Sequence, residues 1–327
     1  MALESGRVVI TGGAGFIGSH LTDHLLRTHP GCSVTIADRM ASSRARDNVR
    51  SALATRRAEV ARLDILDTDG LLRVFRGADV VVHAAAETDM ARAVADPAEC
   101  ERTNAHGTHC VLEACRQSGV GRVLFISSQM VYGAAAGPLS EGDPLRPGNP
   151  YAASKAAAER VVERYRSAHG LDVRVMRPNN VIGTRQPPDK VVPRFIGQML
   201  RDEPLTVYDE GTLVRSYLMV EDFCSAAELA IGHPEPSLSL NVGSPEEYTN
   251  LAIAEMICLA FGRRPDEWIR FVPGHPCGDC HYRLDTSRIA GLGWRERRSL
   301  RADLPRIIDW YRAAHAAQGS AAASAAG

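Results

Sequence analysis

The sequence lacks a long apolar segment, a strong net charge and a recognisable leader. No apolar run approaches the roughly 20 residues that cross a bilayer, so a membrane-spanning protein is not expected. The 38 basic and 39 acidic side chains give a net charge of −1, which provides no electrostatic drive toward nucleic acid or anionic lipid. The opening residues MALESGRVVI contain no basic region followed by an apolar stretch, so we expect no secretory signal and a cytoplasmic protein.

The composition is that of an ordinary globular protein. Of the 327 residues, 45% are apolar and 24% are charged, and this length suits one large domain or two unequal ones. Eight cysteines in a chain without a signal are expected to be reduced thiols. Two of them, Cys110 and Cys115, lie in a helical pattern and are predicted to be small core residues.

Short apolar strands alternate with helical segments through the first half of the chain. The strands are predicted at residues 7–11, 34–37, 60–63, 80–83, 123–127 and 171–176. Helices are predicted between them, notably at residues 16–28, 103–117 and 151–169. This alternation predicts βαβ units with right-handed crossovers, and therefore an α/β fold with a doubly wound parallel sheet.

The composition of the sequence changes after Pro178, where proline and glycine become more frequent and the predicted strands are shorter. We therefore predict a first domain over residues 1–177 and a smaller α/β lobe over residues 178–312, some segments of which return to the first domain. Helical patterns recur in this lobe at residues 191–200, 221–230 and 251–259. Residues 313–327 are rich in Ala, Ser, Gln and Gly, and this composition predicts a disordered tail.

A glycine-rich turn follows the first predicted strand and opens the first helix. Gly12, Gly15 and Gly18 let the backbone approach a pyrophosphate, and the helix N-terminus offers free N–H groups to the anion. Asp38 ends the second strand 20 residues beyond Gly18, where a carboxylate accepts hydrogen bonds from an adenosine ribose and repels a 2′-phosphate. This favours NAD over NADP, although the neighbouring Arg39 weakens the preference. The alternative is a structural turn with a surface aspartate.

A second motif, Tyr-Ala-Ala-Ser-Lys, places Tyr151 and Lys155 four residues apart on one helix face. An ammonium near a phenol favours the phenolate and lowers its pKa, and a tyrosinate beside a nicotinamide can take a hydroxyl proton while hydride leaves the carbon. Ser127 and Ser128 end the fifth strand, at the edge of the sheet where ligands bind, so one hydroxyl can share a hydrogen bond with the substrate oxygen. The alternative for the Tyr–Lys pair is an ordinary helix surface pair.

Together with several shorter motifs, these features resemble the extended short-chain dehydrogenase/reductases, the NAD-dependent nucleotide-sugar epimerases and dehydratases. The motifs are TGGAGFIG at 11–18, Asp38, Asp64-Ile65, HAAA at 83–86, Asn104 with Gly107-Thr108, SSQMVYG at 127–133 and YAASK at 151–155. The resemblance extends to about Tyr311. It implies a Rossmann domain holding an NAD that is reduced and reoxidised within one catalytic cycle.

The resemblance also implies roles for individual residues. The catalytic residues would be Ser128, Tyr151 and Lys155. The cofactor contacts would be Gly12, Gly15, Phe16, Ile17, Gly18, Asp38, Arg39, Asp64, Ile65, Ala84, Ala85, Ala86, Asn104, Tyr151 and Lys155. A homodimer through a four-helix contact is typical of the family, and the helices near residues 103–117 and 151–169 are its candidates.

The second lobe is most similar to dTDP-glucose 4,6-dehydratases. The matching segments are RPNN at 177–180, KVVP at 190–193 and VRSYLMVED at 214–222. By this resemblance Asn180 and Arg215 would contact the diphosphate of a sugar nucleotide, and Lys190 would lie near the base. The bidentate donors of arginine suit a diphosphate. The alternative for Arg215 is a surface ion pair.

The sequence departs from the dehydratases immediately after Ser128. That family carries an Asp–Glu pair there, which protonates the departing C6 hydroxyl and removes the C5 proton, whereas this chain has Gln129 and Met130. Neither residue titrates, so a standard elimination should be crippled, while oxidation at C4 keeps its Tyr, Lys and NAD. Both positions, with Glu87, are predicted to contact substrate.

Three functions therefore stay open. A nucleotide-sugar 4-epimerase is the first choice, because hydride returned to the other face of a 4-keto sugar inverts C4. The second is a 4,6-dehydratase, or a variant forming an unusual unsaturated sugar, in which Glu87 or Asp89 supplies a displaced carboxylate. The third is a non-catalytic NAD-binding regulatory protein.

A cysteine-rich segment near residue 280 resembles a metal motif. Cys277, Cys280 and His281 form C-x-x-C-H, and His275 is close. A c-type haem requires export, and zinc ligands packed into so few residues with no distant second cluster are atypical, so we predict no metal. Cys280 and His281 also stand where the family carries basic residues, so the nucleotide preference is expected to differ from that of enzymes acting on thymidine sugars.

Overall fold

Seven parallel strands form the central sheet in the computed structural model, which describes residues 3–135, 137–274 and 283–325. The strand order is β3-β2-β1-β4-β5-β6-β10. The twelve strands in these ranges are β1 Arg7–Thr11, β2 Ser33–Asp38, β3 Ala58–Arg62, β4 Val80–His83, β5 Arg122–Ile126, β6 Val173–Pro178, β7 Asn180–Ile182, β8 Leu205–Tyr208, β9 Val214–Met219, β10 Ser239–Val242, β11 Glu247–Thr249 and β12 Ile269–Val272. All neighbours within the seven-stranded sheet pair in parallel.

Helices cover both faces of this sheet. The α-helices within the described ranges are α1 Phe16–Thr28, α2 Ala45–Ala54, α3 Thr68–Phe75, α4 Met90–Ala95, α5 Pro97–Glu101, α6 Gly107–Ser118, α7 Pro150–His169, α8 Val191–Leu200, α9 Val220–Gly232, α10 Asn250–Ala260, α11 Pro265–Trp268, α12 Ser287–Gly291 and α13 Leu300–Ala325. Helices α1, α2 and α9 share one core with the sheet, and α3, α6 and α7 share the other. The predicted doubly wound α/β fold is confirmed.

The central strands are apolar along their length because both faces are covered. β4 reads VVVH and all four residues are buried. His83, its last residue, contacts the hydroxyls of Thr11 at 2.8 Å and Thr108 at 3.0 Å. Burial lowers the pKa of His83 to about 3, so the ring is neutral. Its two hydrogen bonds link β4 to β1 and α6.

Helix α7 begins and ends where its sequence predicts. The side chain of Asn149 accepts a hydrogen bond from the N–H of Ala152, and Pro150 occupies the first helical turn. Gly170 ends the helix in the left-handed conformation, with φ of +62°. This start places Tyr151 in the first turn of the helix, at the open edge of the sheet.

A smaller lobe follows β6. Its three-stranded sheet has the order β11-β9-β7, and β8 pairs with β12 in a second small sheet. Phe195 and Ile196 of α8 pack in its core with residues of β8, α10 and α13. β10 returns to the first sheet and pairs with β6, as the sequence allowed. The division of the chain at residue 177 stays a prediction.

The C-terminal helix differs from the sequence expectation. α13 extends to Ala325 and so covers most of residues 313–327, which we predicted to be a disordered tail. Alanine has the highest intrinsic helix propensity, which explains a helical backbone through an Ala-rich segment. None of the helices within the described ranges combines the length and apolarity that a bilayer crossing needs.

Candidate active site

A cleft of about 750 Å³ opens at the carboxyl ends of the central strands. Its wall includes residues at the ends of β1, β2, β4 and β5. The strand order reverses between β1 and β4, which is the topological switch point where open α/β sheets bind ligands. The second lobe supplies further wall residues from β7, the segment after it, α8 and β9.

Most of the predicted site residues line this cleft. They are Gly12, Gly15, Phe16, Ile17, Gly18, Asp38, Arg39, Asp64, Ile65, Ala84, Ala85, Ala86, Ser128, Met130, Tyr151, Lys155, Asn180, Lys190 and Arg215. The structure therefore brings together the glycine turn, the Tyr–Lys pair and the basic residues of the second lobe. Asn104, Glu87 and Gln129 are not part of the cleft wall.

The turn between β1 and α1 has room for backbone alone. Gly12 has a φ of +67°, and a Cβ there would lie 2.7 Å from the Cα of Ala85. A Cβ on Gly18 would overlap the carbonyl oxygen of Gly12. Helix α1 begins at Phe16 without a side-chain cap, so its first N–H groups are available to an anion. The tight glycine turn and the free N–H groups at the start of α1 fit a dinucleotide pyrophosphate.

Asp38 lines the cleft at the end of β2. Its carboxylate accepts hydrogen bonds from the N–H groups of Ala14 at 3.1 Å and Met40 at 2.8 Å, one on each oxygen. Each oxygen has a second lone pair for a ribose hydroxyl. The guanidinium of Arg39 lies 3.6 Å from a carboxylate oxygen of Asp64, so this cation is already paired. The arrangement fits the adenosine ribose of NAD better than a 2′-phosphate.

Tyr151 and Lys155 lie one turn apart on α7, and both line the cleft with Ser128. Lys155 is buried, and its ammonium donates a hydrogen bond to the carbonyl of Ile126 at 2.5 Å. Burial lowers the pKa of Lys155 to about 8, and the carboxylate of Glu159 opposes this shift. The helix is thus tied to the end of β5 directly below the cleft.

The phenol of Tyr151 corrects one expectation from the sequence. Burial raises the pKa of Tyr151 to about 12, and a hydrogen bond with Ser128 partly opposes the rise. We predicted that Lys155 would lower this pKa. The structure shows no such effect, because desolvation of the phenol dominates and the lysine ammonium is engaged with the Ile126 carbonyl.

A buried ion pair supports the strand end that carries the two serines. Ser127 donates a hydrogen bond to a carboxylate oxygen of Glu159 at 2.5 Å. Arg177 binds both oxygens of that carboxylate and also donates to the hydroxyl of Tyr132 at 2.7 Å. Because each charge has several partners, the pair fixes β5, β6 and α7 relative to one another without leaving an orphaned buried ion.

The two positions after Ser128 carry no titratable group near the phenol. They begin a 3₁₀ turn, Gln129–Tyr132, in which the Ser128 hydroxyl accepts a hydrogen bond from the N–H of Met130 at 3.2 Å. Met130 lines the cleft. Gln129 is buried, and its Oε1 has no hydrogen-bond partner among the described residues. Neither side chain can deliver or remove a proton.

The loop after β4 holds the two carboxylates that could replace the missing pair. One oxygen of Glu87 pairs with Arg92 at 3.0 Å and the other accepts from the N–H of Asp89. Asp89 caps α4 and lines the cleft. Asn104, in the π-helix Arg102–His106, clamps the backbone of Glu87 through its amide, at 2.7 and 3.0 Å. Asn104 therefore positions this loop through the backbone of Glu87, without lining the cleft itself.

The predicted substrate residues of the second lobe line the same cleft as the glycine turn and Asp38. Asn180 begins β7, and Arg215 lies on β9, where its guanidinium donates to the carbonyl of Val214 at 3.0 Å. The ammonium of Lys190 donates to the carbonyl of Thr88 at 2.9 Å and pairs with Asp189 at 2.7 Å. Lys190 therefore connects the second lobe to the loop after β4.

Sequence reasoning missed several polar residues of the cleft wall. They are Asn179, Gln186, Arg194, Tyr208, Tyr217 and Asn250. Four of them, Asn179, Gln186, Arg194 and Asn250, each have a buried polar atom with no partner among the described residues. Arg194 directly follows the predicted KVVP segment and could have been found there. Asn179 and Tyr217 lie within the RPNN and VRSYLMVED segments and could have been found there too. Gln186, Tyr208 and Asn250 come from separate elements that only the fold brings together.

The prediction that the cysteine-rich segment holds no metal stays a prediction. His275, Cys277, Cys280 and His281 lie outside the described residues. Within the described part of the chain, no cluster of three or more His, Cys, Asp or Glu side chains could hold a metal ion. Cys110 and Cys115 are buried free thiols of α6, as predicted.

Comparison with a family model and with curated proteins gives concordant results. The chain matches the model of the NAD dependent epimerase/dehydratase family over residues 8–243. It is 35% identical over 312 residues, or 93% of this chain, to a trifunctional enzyme of Arabidopsis thaliana, RHM2. That protein is described as a UDP-glucose 4,6-dehydratase, UDP-4-keto-6-deoxy-D-glucose 3,5-epimerase and UDP-4-keto-L-rhamnose-reductase. The match covers 47% of the plant enzyme, so this chain spans about half its length.

Two solved structures share the fold but differ in reaction. The dTDP-glucose 4,6-dehydratase DesIV of Streptomyces venezuelae, with NAD bound, has a TM-score of 0.90 at 34% identity. The alignment covers 94% of this chain and 97% of that one. The UDP-glucose 4-epimerase of Thermus thermophilus, also with NAD, has a TM-score of 0.85 at 32% identity and covers 94% and 99%. Overall similarity does not separate the two reactions.

Proposed function

Because this chain belongs to the NAD-dependent epimerase/dehydratase family, we propose that it is a nucleotide-sugar 4-epimerase working through a 4-keto sugar. The observation that carries the proposal is that the site has the groups for oxidation at C4 but lacks titratable groups for elimination beside Ser128. Tyr151 and Lys155 line the cleft with Ser128, while the next two positions hold Gln129 and Met130. The members named above are enzymes, which argues against the non-catalytic alternative.

The nucleotide half of the cleft supports NAD as the cofactor. The glycine turn would hold its pyrophosphate and Asp38 its adenosine ribose, as their geometry fits both groups. The structures of DesIV and of the Thermus epimerase, which contain NAD, support the same assignment. When bound, NAD accepts a hydride from C4 of the sugar and returns it to the ring.

The proton chemistry is assigned to Tyr151. Its hydroxyl oxygen takes the proton of the C4 hydroxyl during oxidation and gives it back during reduction. Ser128, which is hydrogen-bonded with the phenol, orients the C4 oxygen. A pKa near 8 lets Lys155 carry a positive charge at neutral pH one helix turn from the phenol, although in this structure that charge does not offset the desolvation that raises the pKa of Tyr151.

Elimination of water would need two further groups that the neighbouring positions do not supply. One must protonate the C6 oxygen as it leaves, and the other must remove the C5 proton. A positioned acid or base contributes typically about 10² to 10⁴ in rate, or about 3–5 kcal/mol of barrier. Gln129 and Met130 supply neither, whereas C4 inversion needs only the groups that are present. After the keto sugar presents its opposite face, hydride return gives the 4-epimer.

A variant dehydratase is the second candidate, and one observation favours it. Asp89 lines the cleft, whereas the carboxylate of Glu87 is paired with Arg92. Asp89 is therefore the displaced acid or base to test. Asp89→Asn should abolish a dehydratase but leave a 4-epimerase within a fewfold of its normal rate, whereas Glu87→Gln should spare the chemistry of either.

The basic residues of the second lobe support a nucleotide diphosphate sugar as the substrate. Lys190, Arg194 and Arg215 all line that side of the cleft. The guanidinium carbon of Arg194 also lies 5.1 Å from the ring centroid of Phe195 and 5.1 Å from that of Tyr208, and these two contacts hold it in place. Three cations in one wall suit two phosphates.

We also propose that the protein is a homodimer through α6 and α7. The two helices pack side by side, with the hydroxyl of Tyr165 donating to Glu113 at 3.0 Å. Arg160 and Arg164 on their outer face are exposed. Light scattering that gives twice the mass of the 35.4 kDa chain would support the dimer, and a monomer at assay concentration would refute it.

The experiment that tests the reaction is a product analysis. Purified protein loaded with NAD is incubated with UDP-, dTDP-, GDP- and CDP-hexoses in D₂O, and the products are analysed by mass spectrometry and NMR. The proposal predicts an unchanged product mass and an inverted C4 signal for at least one substrate. Loss of water with deuterium entering at C5 would overturn it in favour of the variant dehydratase.

A further inference from the structure

The segment between β7 and α8 crosses the cleft as a strap. The strap comprises residues 183–190, which leave β7 after Ile182 and enter α8 at Val191. Four of its residues, Gln186, Pro187, Asp189 and Lys190, line the cleft. Of these four, only Lys190 was predicted from its sequence context to bind substrate.

One part of the strap is held over the adenosine side of the cleft. The carbonyl of Gln186 accepts a hydrogen bond from the hydroxyl of Tyr311 at 2.8 Å and another from the guanidinium of Arg44 at 3.4 Å. Arg44 lies in the loop after β2, six residues beyond Asp38. Tyr311 belongs to α13, so the C-terminal helix takes part in fixing the strap.

The end of the strap is held on the other side of the glycine turn. Lys190 donates to the carbonyl of Thr88, in the loop after β4. In the sheet, β1 lies between β4 and β2. The strap is thus attached to loops on both sides of β1, the strand that ends at the glycine turn.

The start of the strap is fixed to α1. His20 contacts the hydroxyl of Thr184 at 3.0 Å, and Arg185 pairs with Asp23 at 2.6 Å. Arg185 has a φ of +62°, a strained conformation for a residue with a side chain, and this ion pair is a contact that holds it there. Strain of this kind clusters at ligand clamps and switch segments.

The side chain of Gln186 is only partly hydrogen-bonded by protein groups. The Oε1 atom of Gln186 is buried and has no partner in the described part of the chain, although its amide nitrogen donates to the carbonyl of Val181 at 2.9 Å. A buried acceptor without a donor is costly, and this oxygen gains a partner only if the strap moves. Gln186 lines the same cleft as Asp38.

We propose that the strap is the element that retains the dinucleotide, with Tyr311 and Arg44 as positioning residues that keep it closed. The cofactor would leave only after the Gln186 carbonyl is released and the strap lifts from the glycine turn. Retention matters because the proposed reaction oxidises and then reduces one sugar with one dinucleotide. The inference rests on the dinucleotide site of the proposed function, and it is independent of which sugar reaction follows.

The test measures release of NAD from the full chain and needs no sugar substrate. Wild type, Tyr311→Phe and the double variant Tyr311→Phe/Arg44→Met are loaded with NAD and passed through desalting, and the NAD remaining bound is quantified over time. We expect release about fivefold faster for Tyr311→Phe, the factor that one typical hydrogen bond is worth, and a larger increase for the double variant. Tyr165→Phe is the matched control, because it deletes a hydroxyl bonded to Glu113 on α6, away from the cleft wall.

A second readout follows the strap itself. Lys155 and Lys190 are the only lysines in the chain, and Lys155 is 3% exposed, so an amine-reactive ester followed by peptide mass spectrometry reports mainly on Lys190. NAD should slow labelling of Lys190 in the wild type, and the double variant should lose that protection. Release rates within twofold of wild type in folded variants, or labelling unaffected by NAD, would overturn the proposal. Because neither readout uses turnover, failure here leaves the proposed sugar reaction untouched.

Discussion

The ammonium of Lys155 lies 2.5 Å from the carbonyl oxygen of Ile126, the last residue of β5. This contact holds α7 against the strand whose end carries Ser127 and Ser128. It also removes the lysine charge from solvent, so burial lowers the pKa of Lys155 to about 8. Lys155 is thus a structural link as well as the proposed electrostatic partner of the phenol.

The burial of Lys155 predicts a pH-dependent cost to folding. Its pKa is about 8 in the folded chain and 10.5 when unperturbed, so between these values the unfolded chain binds more protons. Stability from this group therefore rises with pH through that window, and the cost is fully present below pH 8. The wild type should gain up to about 3 kcal/mol relative to Lys155→Met between pH 7 and pH 10.5, measured by urea unfolding of NAD-free protein. A constant difference would show that the folded lysine titrates normally.

Removing the phenol oxygen should stop turnover without disturbing the fold. Tyr151→Phe deletes the proposed base, so the rate should fall by about 10² to 10⁴ while the bound NAD stays at wild-type occupancy. Steady-state rates and NAD content measured on the same preparation check both parts. Tyr165→Phe, which leaves the cleft unchanged, should keep full activity. An active Tyr151→Phe enzyme would exclude the phenol as the base.

Asp38 should select the cofactor. Its carboxylate is oriented by the N–H groups of Ala14 and Met40, and charged hydrogen bonds of this kind contribute about 1.5–3 kcal/mol. Asp38→Asn should weaken NAD binding about tenfold to a hundredfold and reduce the discrimination against NADP, measured by calorimetry with both dinucleotides. Asp47→Asn, on the exposed side of α2, is a suitable control. Unchanged affinity for both cofactors would place the ribose elsewhere.

Restoring the missing carboxylates should redirect the chemistry. The double variant Gln129→Asp/Met130→Glu puts an acid and a base on the turn capped by Ser128. With a hexose substrate that the wild type epimerises, we expect a product lighter by one water molecule to appear in the mass spectrum. The isosteric pair Gln129→Asn/Met130→Gln controls for altered packing and should form none. If both double variants form only the 4-epimer, these positions do not decide the reaction.

Local sequence patterns were enough for the elements that build the catalytic half of the site. The glycine turn, β4 and the start of α7 depend on neighbouring residues, such as Asn149 and Pro150 before Tyr151, and these were predicted within a residue or two. The parallel, doubly wound sheet followed from the alternation of strands and helices, whereas the order of its strands was not predicted.

Features set by distant packing could not be predicted in the same way. Asn104 clamps the backbone of Glu87 from a π-helix, and Gln186 meets Tyr311 across 125 residues of chain. The pKa of Tyr151 depends on how completely the folded chain desolvates the phenol, which the spacing to Lys155 does not reveal. The composition of residues 313–327 led to a prediction of disorder, but α13 is helical to Ala325 because alanine strongly favours a helix.

The most direct test of the central claim follows one hydrogen atom. A nucleotide hexose carrying deuterium at C4, chosen from the substrates that turn over, is converted by the NAD-loaded protein, and the product is examined by NMR and mass spectrometry. We expect an unchanged mass with the deuterium still on C4 and that carbon inverted, because Tyr151 and Lys155 support oxidation and reduction at the same position. A product lighter by one water molecule with the deuterium on C6 would contradict it, and would identify the enzyme as a dehydratase that has relocated its acid and base.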